Sequence, residues 1–151
     1  MRYHDGHVRF QRRLRWAAIA VASVFTLSGC AGGSSNGKAE GTLVRVTERD
    51  FRISAPKRAH AGDVTLSVLN EGPDAHELLV VRSSGRDLRL RADGLTVDEE
   101  ALEHETVGVL EAGQPKSVRR LRLHLPPGRY ELICNMSGHY LGGMRAPLLV
   151  E

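Results

Sequence analysis

From residue 41 onward, apolar and polar residues alternate in short runs that turn residues separate. Such alternation over four to eight residues is typical of β-strands that bury one face. It predicts eight strands, at 42–48, 51–54, 64–70, 76–82, 106–110, 117–125, 129–135 and 144–151. Short strands with turn signals between them predict an all-β fold, an antiparallel sandwich with Greek-key connections.

The longest interval between strands contains a polar, basic loop at 83–95 and one predicted helix at 96–105. Thr96 and Glu99 have the spacing of a capping box, and acidic residues follow where a helix N-terminus favours them. The sandwich is therefore expected to carry one short helix.

The first 29 residues have a different pattern. An Arg-rich stretch up to Trp16 precedes an apolar run at 17–29, which has the length of a signal-peptide hydrophobic region. It falls short of the roughly 20 apolar residues of a transmembrane helix. The run ends in Leu27-Ser-Gly-Cys30, which resembles a bacterial lipobox, in which the cysteine is lipidated and becomes the N-terminus. A short buried helix, or a signal peptide cut elsewhere, is the alternative.

Residues 30–40 are rich in Gly, Ser and Asn and have the composition of a flexible tether. The expected organisation is thus a signal peptide at 1–29, a lipidated tether at 30–40 and a folded domain at 41–151. It predicts an exported protein that its lipid anchors on the outer face of the cell membrane.

The charge distribution argues against a nucleic-acid partner. The chain has 21 Lys and Arg, 18 Asp and Glu and a net charge of +3. Residues 1–29 hold five arginines and one aspartate, which leaves 16 basic and 17 acidic residues in the remainder. A nucleic-acid-binding domain needs a basic surface that this balance does not provide.

The chain has two cysteines, and an exported protein meets oxidising conditions. If Cys30 carries lipid, Cys134 has no partner, and an unpaired thiol is open to oxidation unless a metal holds it. Cys134 begins the segment CNMSGHYLGGM, which also contains His139 and Met144. A thiolate, an imidazole and a thioether are ligand types of blue copper sites, which also need a second imidazole.

Five histidines follow the tether, and three are expected to be solvated. His60 lies in a Lys/Arg-rich turn, His104 lies among acidic residues, and His124 lies on the polar face of its strand. His76 instead opens an apolar strand directly after a turn, where its ring can point into the end of a sandwich. A capping or surface histidine is the alternative for His76.

Two stretches resemble the cupredoxins, the small plastocyanin- and azurin-like copper proteins. GRYELICNMSGHYLGGMRAPLLV resembles their C-terminal signature, and VLNEGPDAHELLVV resembles the segment in which the first copper histidine opens a strand. The similarity extends over about 41–151, although only these stretches are specific. It implies a cupredoxin-like Greek-key β-sandwich that binds one type 1 copper ion. The implied equatorial ligands are His76, Cys134 and His139, and the implied axial ligand is Met144.

The sequence departs from the family pattern at three points. Glu77 stands where plastocyanin and azurin have an asparagine that ties the ligand loops together, and Ser137 replaces a common proline. Four residues separate Cys134 from His139, and four separate His139 from Met144, unlike the tighter plastocyanin loop. These differences bear on the colour and potential of the site more than on the identity of its ligands.

The resemblance implies an electron carrier, not an enzyme, that exchanges single electrons with redox proteins at the membrane. The expected docking surface surrounds His139 and comprises Met136, Tyr140, Leu141, Gly142 and Gly143. A module that buffers copper or delivers it to a copper-accepting protein is the alternative, and a structural lipoprotein with a vestigial site is another. Zinc would leave Met144 without a role, and a nucleophilic Cys134–His139 pair lacks a visible oxyanion-hole motif.

Overall fold

The structure, a computed structural model, describes residues 41–151, which form nine β-strands and one 3-10 turn. The strands are β1 Thr42–Arg49, β2 Arg52–Ser54, β3 Arg58–Ala59, β4 Gly62–Asn70, β5 His76–Arg82, β6 Thr106–Gly113, β7 Val118–Leu125, β8 Gly128–Ile133 and β9 Arg145–Val150. The predicted signal peptide (1–29) and tether (30–40), with Cys30, lie outside the described residues. The eight predicted strands are all present, and the two-residue β3 was missed because so short a strand has no readable alternation.

The strands form two sheets, which confirms the predicted all-β sandwich. One sheet has the order β2-β1-β4-β7, and the other has the order β3-β9-β8-β5-β6. The prediction of a purely antiparallel sandwich is wrong for two pairs, since β1 pairs with β4 in parallel and β3 pairs with β9 in parallel. Alternation along a strand reports which face is buried, and it carries no information on the direction of the neighbouring strand.

The predicted helix at 96–105 is reduced to a single 3-10 turn at Glu100–Leu102. Instead of a capping box, the Asp93 carboxylate accepts hydrogen bonds from the backbone amides of Leu95 and Thr96, at 2.8 and 3.2 Å. The backbone at 96–98 is in addition paired with residues 89–91 and bonded by Asn135, so a helix cannot start there. Within residues 41–151, no helix is long and apolar enough to cross a membrane.

The core lies between the sheets and extends to one end of the sandwich. In β4 the inward residues Val64, Leu66 and Val68 are fully buried, and each such side chain contributes about 1.5–3 kcal/mol. The same buried cluster includes Cys134 and Met144, each with 0% of its surface exposed. The core therefore holds two of the predicted ligands at the end where β8 stops and β9 starts.

Candidate metal centre

The loop that joins β8 to β9 is closed by backbone hydrogen bonds between predicted ligands. The amide of Cys134 donates to the carbonyl of Met144 at 3.1 Å, and the amide of Met144 donates to the carbonyl of His139 at 2.9 Å. Because β8 and β9 are antiparallel neighbours, the residues directly after one and before the other lie side by side. Gly138 and Gly143 have positive φ, at 79° and 99°, which lets the chain reverse within the loop.

A buried asparagine brings His76 to the same end. The side chain of Asn70 accepts from the amide of Gly72 at 2.9 Å and donates to the carbonyls of Asp74 and Gly113, at 2.7 and 2.9 Å. These bonds fasten the 71–75 turn to the end of β6. His76, the first residue of β5, therefore enters the sandwich with its side chain fully buried.

Three of the four predicted ligands form one cluster. The candidate ligand atoms of His76, Cys134 and His139 all lie within 4.8 Å of one another. Cys134 Sγ is 3.5 Å from His139 Nδ1, and the two imidazole centroids are 5.1 Å apart with planes inclined at 58°. The fourth residue, Met144, is fully buried in the core cluster that also contains Cys134.

The surroundings of His76 fit a metal ligand. Its Nε2 lies 3.1 Å from Asp50 Oδ1, whereas its buried Nδ1 has no hydrogen-bond partner among residues 41–151. A buried polar atom without a partner is costly, and coordination to a metal would satisfy it. Burial, and then the nearby His139, lower the pKa of His76, which favours the neutral imidazole that binds metals.

Cys134 fits the same role. Burial raises the pKa of its thiol, while the backbone amides of Met136 and Glu77 donate to the sulfur and act in the opposite direction. A metal ion bound to this sulfur would displace the thiol proton, and the two amide hydrogen bonds would stabilise the resulting thiolate. A thiolate, two imidazoles and a nearby thioether are together the donor set of a trigonal site with a weak axial ligand.

Glu77 and Asn135, the residues that follow His76 and Cys134, connect the two ligand strands. The Glu77 carboxylate accepts the backbone amide of Asn135, and burial, with Glu99 nearby, raises the pKa of Glu77. The Asn135 side chain in turn bonds the amide and carbonyl of Val97, at 2.5 and 3.1 Å. Glu77 thus makes a tie between the ligand loops at the position where the sequence departs from asparagine.

The predicted docking surface is only partly exposed. Leu141 is 54% exposed and the glycines that follow it are exposed, while Met136 is half-buried. The inclusion of Tyr140 was wrong, because its ring is 5% exposed and packs with buried residues of a second apolar cluster. Its hydroxyl accepts from the amide of Leu88 at 3.2 Å and from Arg145 at 2.8 Å.

Sequence reasoning missed two residues that contact the cluster. Asp50 bonds His76, and the ring centroid of Phe51 lies 5.5 Å from that of His139 in an edge-to-face arrangement. Both lie in the turn between β1 and β2, far from the ligands in sequence. The sequence offered no signal for either contact, because Phe51 fitted the strand predicted at 51–54 and its place in the turn, with a φ of 58°, is seen only in the structure.

The other three histidines of the described domain lie outside the cluster. His60, His104 and His124 are exposed, as expected. His124 Nδ1 lies 2.9 Å from Asp63 Oδ1 on the outer face of its sheet. Within residues 41–151, their positions leave His76 and His139 as the histidines that can share a metal with Cys134.

Comparison with solved structures shows the same fold. The reduced auracyanin of Roseiflexus castenholzii superposes with a TM-score of 0.56 at 20% identity, covering 74% of this chain and 98% of that one. Auracyanin A of Chloroflexus aurantiacus, described as a "blue" copper protein, gives 0.56 at 16% identity over 74% of this chain and all of the other. Rusticyanin of Thiobacillus ferrooxidans superposes with a TM-score of 0.53 at 16% identity, covering 74% of this chain and 79% of that one.

No model of a known protein family matches the sequence, and no curated protein is significantly similar to it.

Proposed function

We propose that this chain, which has the cupredoxin-like fold of auracyanins and rusticyanin, is a type 1 copper protein that carries single electrons. The observation that carries the proposal is the buried cluster of His76, Cys134 and His139, in which His76 Nδ1 is without a hydrogen-bond partner in the described domain. The resemblance of the sequence to cupredoxins and the fold support the same conclusion.

The donor set favours copper over zinc. Thiolate and imidazole ligands suit either ion, but as a ligand the thioether of the buried Met144 suits a site with a weak, long axial bond. Structural zinc sites use four strong ligands, and catalytic ones need an open position. Bound copper would supply a couple that accepts and releases one electron.

The residues of this chain would hold the ion in one geometry. His76 is fixed by the Asn70 turn, and Cys134 and Met144 are fixed by the hydrogen bond that closes the loop. Ligands held in place by packing and by outer hydrogen bonds move little when the charge of the site changes. A site that reorganises little exchanges electrons readily, which suits a carrier.

The half-buried ring of His139 is the proposed point of electron exit. It lies in the loop that also presents the exposed Leu141 and two exposed glycines, so a partner can come close to the imidazole. This surface would serve a redox protein. In the alternative function, the same surface would contact a copper-accepting protein.

The substitution Leu141→Glu distinguishes a carrier from a copper donor. In a carrier it should slow electron exchange with a redox partner, because a buried charge in the interface is costly, while copper affinity and spectrum stay unchanged. Stopped-flow reoxidation and transfer of Cu(I) to a chelator would be measured on both proteins. Leu43→Glu, at a site of similar exposure on β1 (51%), is the control.

Fast loss of copper on reduction, with transfer rather than electron exchange slowed in Leu141→Glu, would favour the copper donor instead.

We also propose that Cys30 is lipidated and holds the protein on the outer face of the cell membrane, near membrane redox partners. The support is the sequence Leu27-Ser-Gly-Cys30 after an apolar run. Metabolic labelling with a palmitate analogue should mark the wild type and fail to mark Cys30→Ser. Equal labelling of the two proteins, or no labelling of the wild type, would show that Cys30 is not the lipidated residue.

A further inference from the structure

We propose that Asp50 and Phe51, the two residues of the turn between β1 and β2, position the two histidines of the metal centre. Asp50 would set the tautomer of His76, and Phe51 would fix the ring of His139. The consequence for copper rests on the proposed function, but the contacts themselves can be tested without metal.

The conformation of the turn is the first observation. Arg49 pairs with Arg52, so only Asp50 and Phe51 form the connection. Phe51 has a φ of 58°, which is unfavourable for a bulky side chain and usual for Gly, Asn or Asp. A strained residue persists where contacts with its surroundings compensate for the strain. Here the compensating contact is that of the Phe51 ring with His139.

The contact of Asp50 with His76 is the second observation. Asp50 Oδ1 is 3.1 Å from His76 Nε2, and Gly72 leaves the space for this approach. A Cβ at Gly72 would lie 2.8 Å from both of these atoms. A carboxylate that accepts Nε2–H leaves Nδ1 unprotonated, and Nδ1 is the atom that lacks a partner within residues 41–151.

The contact of Phe51 with His139 is the third observation and has the same form. The rings meet edge to face, with planes inclined at 62°. Here Gly142 leaves the space, because a Cβ at this position would collide with the Phe51 ring. The Phe51 ring covers one side of His139. Because Phe51 is 54% exposed, burial in the core does not hold this ring in place.

The position of the turn in the fold gives these contacts their importance. The turn belongs to the β2-β1-β4-β7 sheet, whereas β5 and the β8–β9 loop, which carry the histidines, belong to the other sheet. The two residues therefore hold the histidines from the facing sheet, independently of the strands on which the ligands lie.

The first test uses the metal-free protein. Long-range ¹H–¹⁵N spectra of the imidazoles should show His76 as a single Nε2–H tautomer in the wild type and a tautomer mixture in Asp50→Ala. Asp50→Asn keeps an acceptor and should keep the tautomer. Phe51→Gly should broaden the ring signals of His139, while Phe51→Tyr should preserve them. Leu43→Ala, remote on β1, is the control.

Phe51→Gly also separates positioning from a purely structural role, since glycine suits the positive φ of the turn. The variant should unfold at the same or a higher denaturant concentration than the wild type, even though His139 becomes more mobile. A purely structural role would instead leave the His139 signals sharp. An unchanged His76 tautomer in Asp50→Ala, together with sharp His139 signals in Phe51→Gly, would overturn the proposal.

The second test uses the copper-loaded protein. Phe51→Gly should weaken copper binding by less than about 12-fold, the factor for one whole aromatic pair, because the pair exists before the metal binds and only the cost of ordering His139 is added. Asp50→Asn removes a negative charge near the ion, so the reduction potential should rise while the spectrum is retained. Unchanged affinity and potential in these variants would count against the positioning role. A wild type that binds no copper would refute the proposed function and leave the metal-free test to decide on the turn.

Discussion

At the scale of single residues, Met144 is buried more completely than is usual for a methionine in a surface loop. It is fully buried at the end of the loop, where its carbonyl accepts the amide of Cys134. Its thioether is suited to a weak bond with an ion that Cys134 and the histidines already hold. Met144 should therefore tune the centre more than retain the metal.

The substitution Met144→Leu tests this role. Leucine has a similar volume, so the fold should lose less than about 1.5 kcal/mol. Copper should stay bound at one ion per chain, and the reduction potential should rise, because a donor that favours the oxidised ion is gone. Metal analysis and a redox titration measure both quantities. Loss of copper from the variant would show that Met144 is an essential ligand.

The candidate ligands could be found from the sequence because their chemistry is rare. One thiol, one imidazole and one thioether occur within residues 134–144, and His76 opens a strand after a turn. Asp50 and Phe51 could not be found in this way. Their role depends on the packing of one sheet against the other and on the space left by Gly72 and Gly142, which no local pattern encodes.

At the scale of the elements, a buried ion pair joins two strands of one sheet. Glu48 on β1 is fully buried, and its Oε2 is 2.5 Å from a guanidinium nitrogen of Arg119 on β7. Arg119 also donates to the carbonyl of Glu111 on β6, in the facing sheet. Burial raises the pKa of Glu48 to about 7, although Arg119 opposes the shift; Glu77 adds to it.

This raised pKa predicts how stability depends on pH. The ordinary value of 4.5 applies to the unfolded chain and about 7 to the folded protein. Between these values the unfolded chain gives up its proton first, so Glu48 reduces stability as pH rises, by on the order of 1 kcal/mol per pH unit. The stability that Glu48 contributes through its raised pKa is fully present below pH 4.5 and is lost by about pH 7.

Denaturant unfolding of the metal-free wild type and of Glu48→Gln, between about pH 5 and pH 8, measures this contribution. Glutamine does not titrate, so its advantage over the wild type should grow up to about pH 7 and then remain constant. The lowered pKa of His76 makes stability rise with pH in both proteins, so this effect cancels when their free energies of unfolding are subtracted. Parallel curves would show that Glu48 does not titrate in this range.

The strands were more predictable than their pairing. In β4 and β7, alternation follows directly from one buried and one solvated face. The parallel pairing of β1 with β4 depends on where the intervening β2 and β3 dock, which is a tertiary choice. The helix at 96–105 was wrong because the backbone at 96–98 pairs with that of 89–91 and Asn135 bonds both backbone groups of Val97, so only a short 3-10 turn follows.

At the scale of the whole molecule, the site is assembled at one end of the sandwich from parts that are distant in sequence. β5 supplies His76, the β8–β9 loop supplies Cys134, His139 and Met144, and the turn between β1 and β2 lies against both imidazoles. Because both sheets contribute, the centre depends on the complete fold. We therefore expect metal binding to stabilise the domain as a unit.

The most direct measurement is a copper titration of the purified metal-free protein, followed by its absorption spectrum. A type 1 centre should bind one copper ion per chain and give an intense thiolate-to-copper band towards the red end of the visible spectrum. Cys134→Ser should lose this band, and His124→Ala, which changes an exposed histidine outside the cluster, should keep it. A colourless copper complex of the wild type, or a band that persists in Cys134→Ser, would contradict the assignment of a type 1 copper centre.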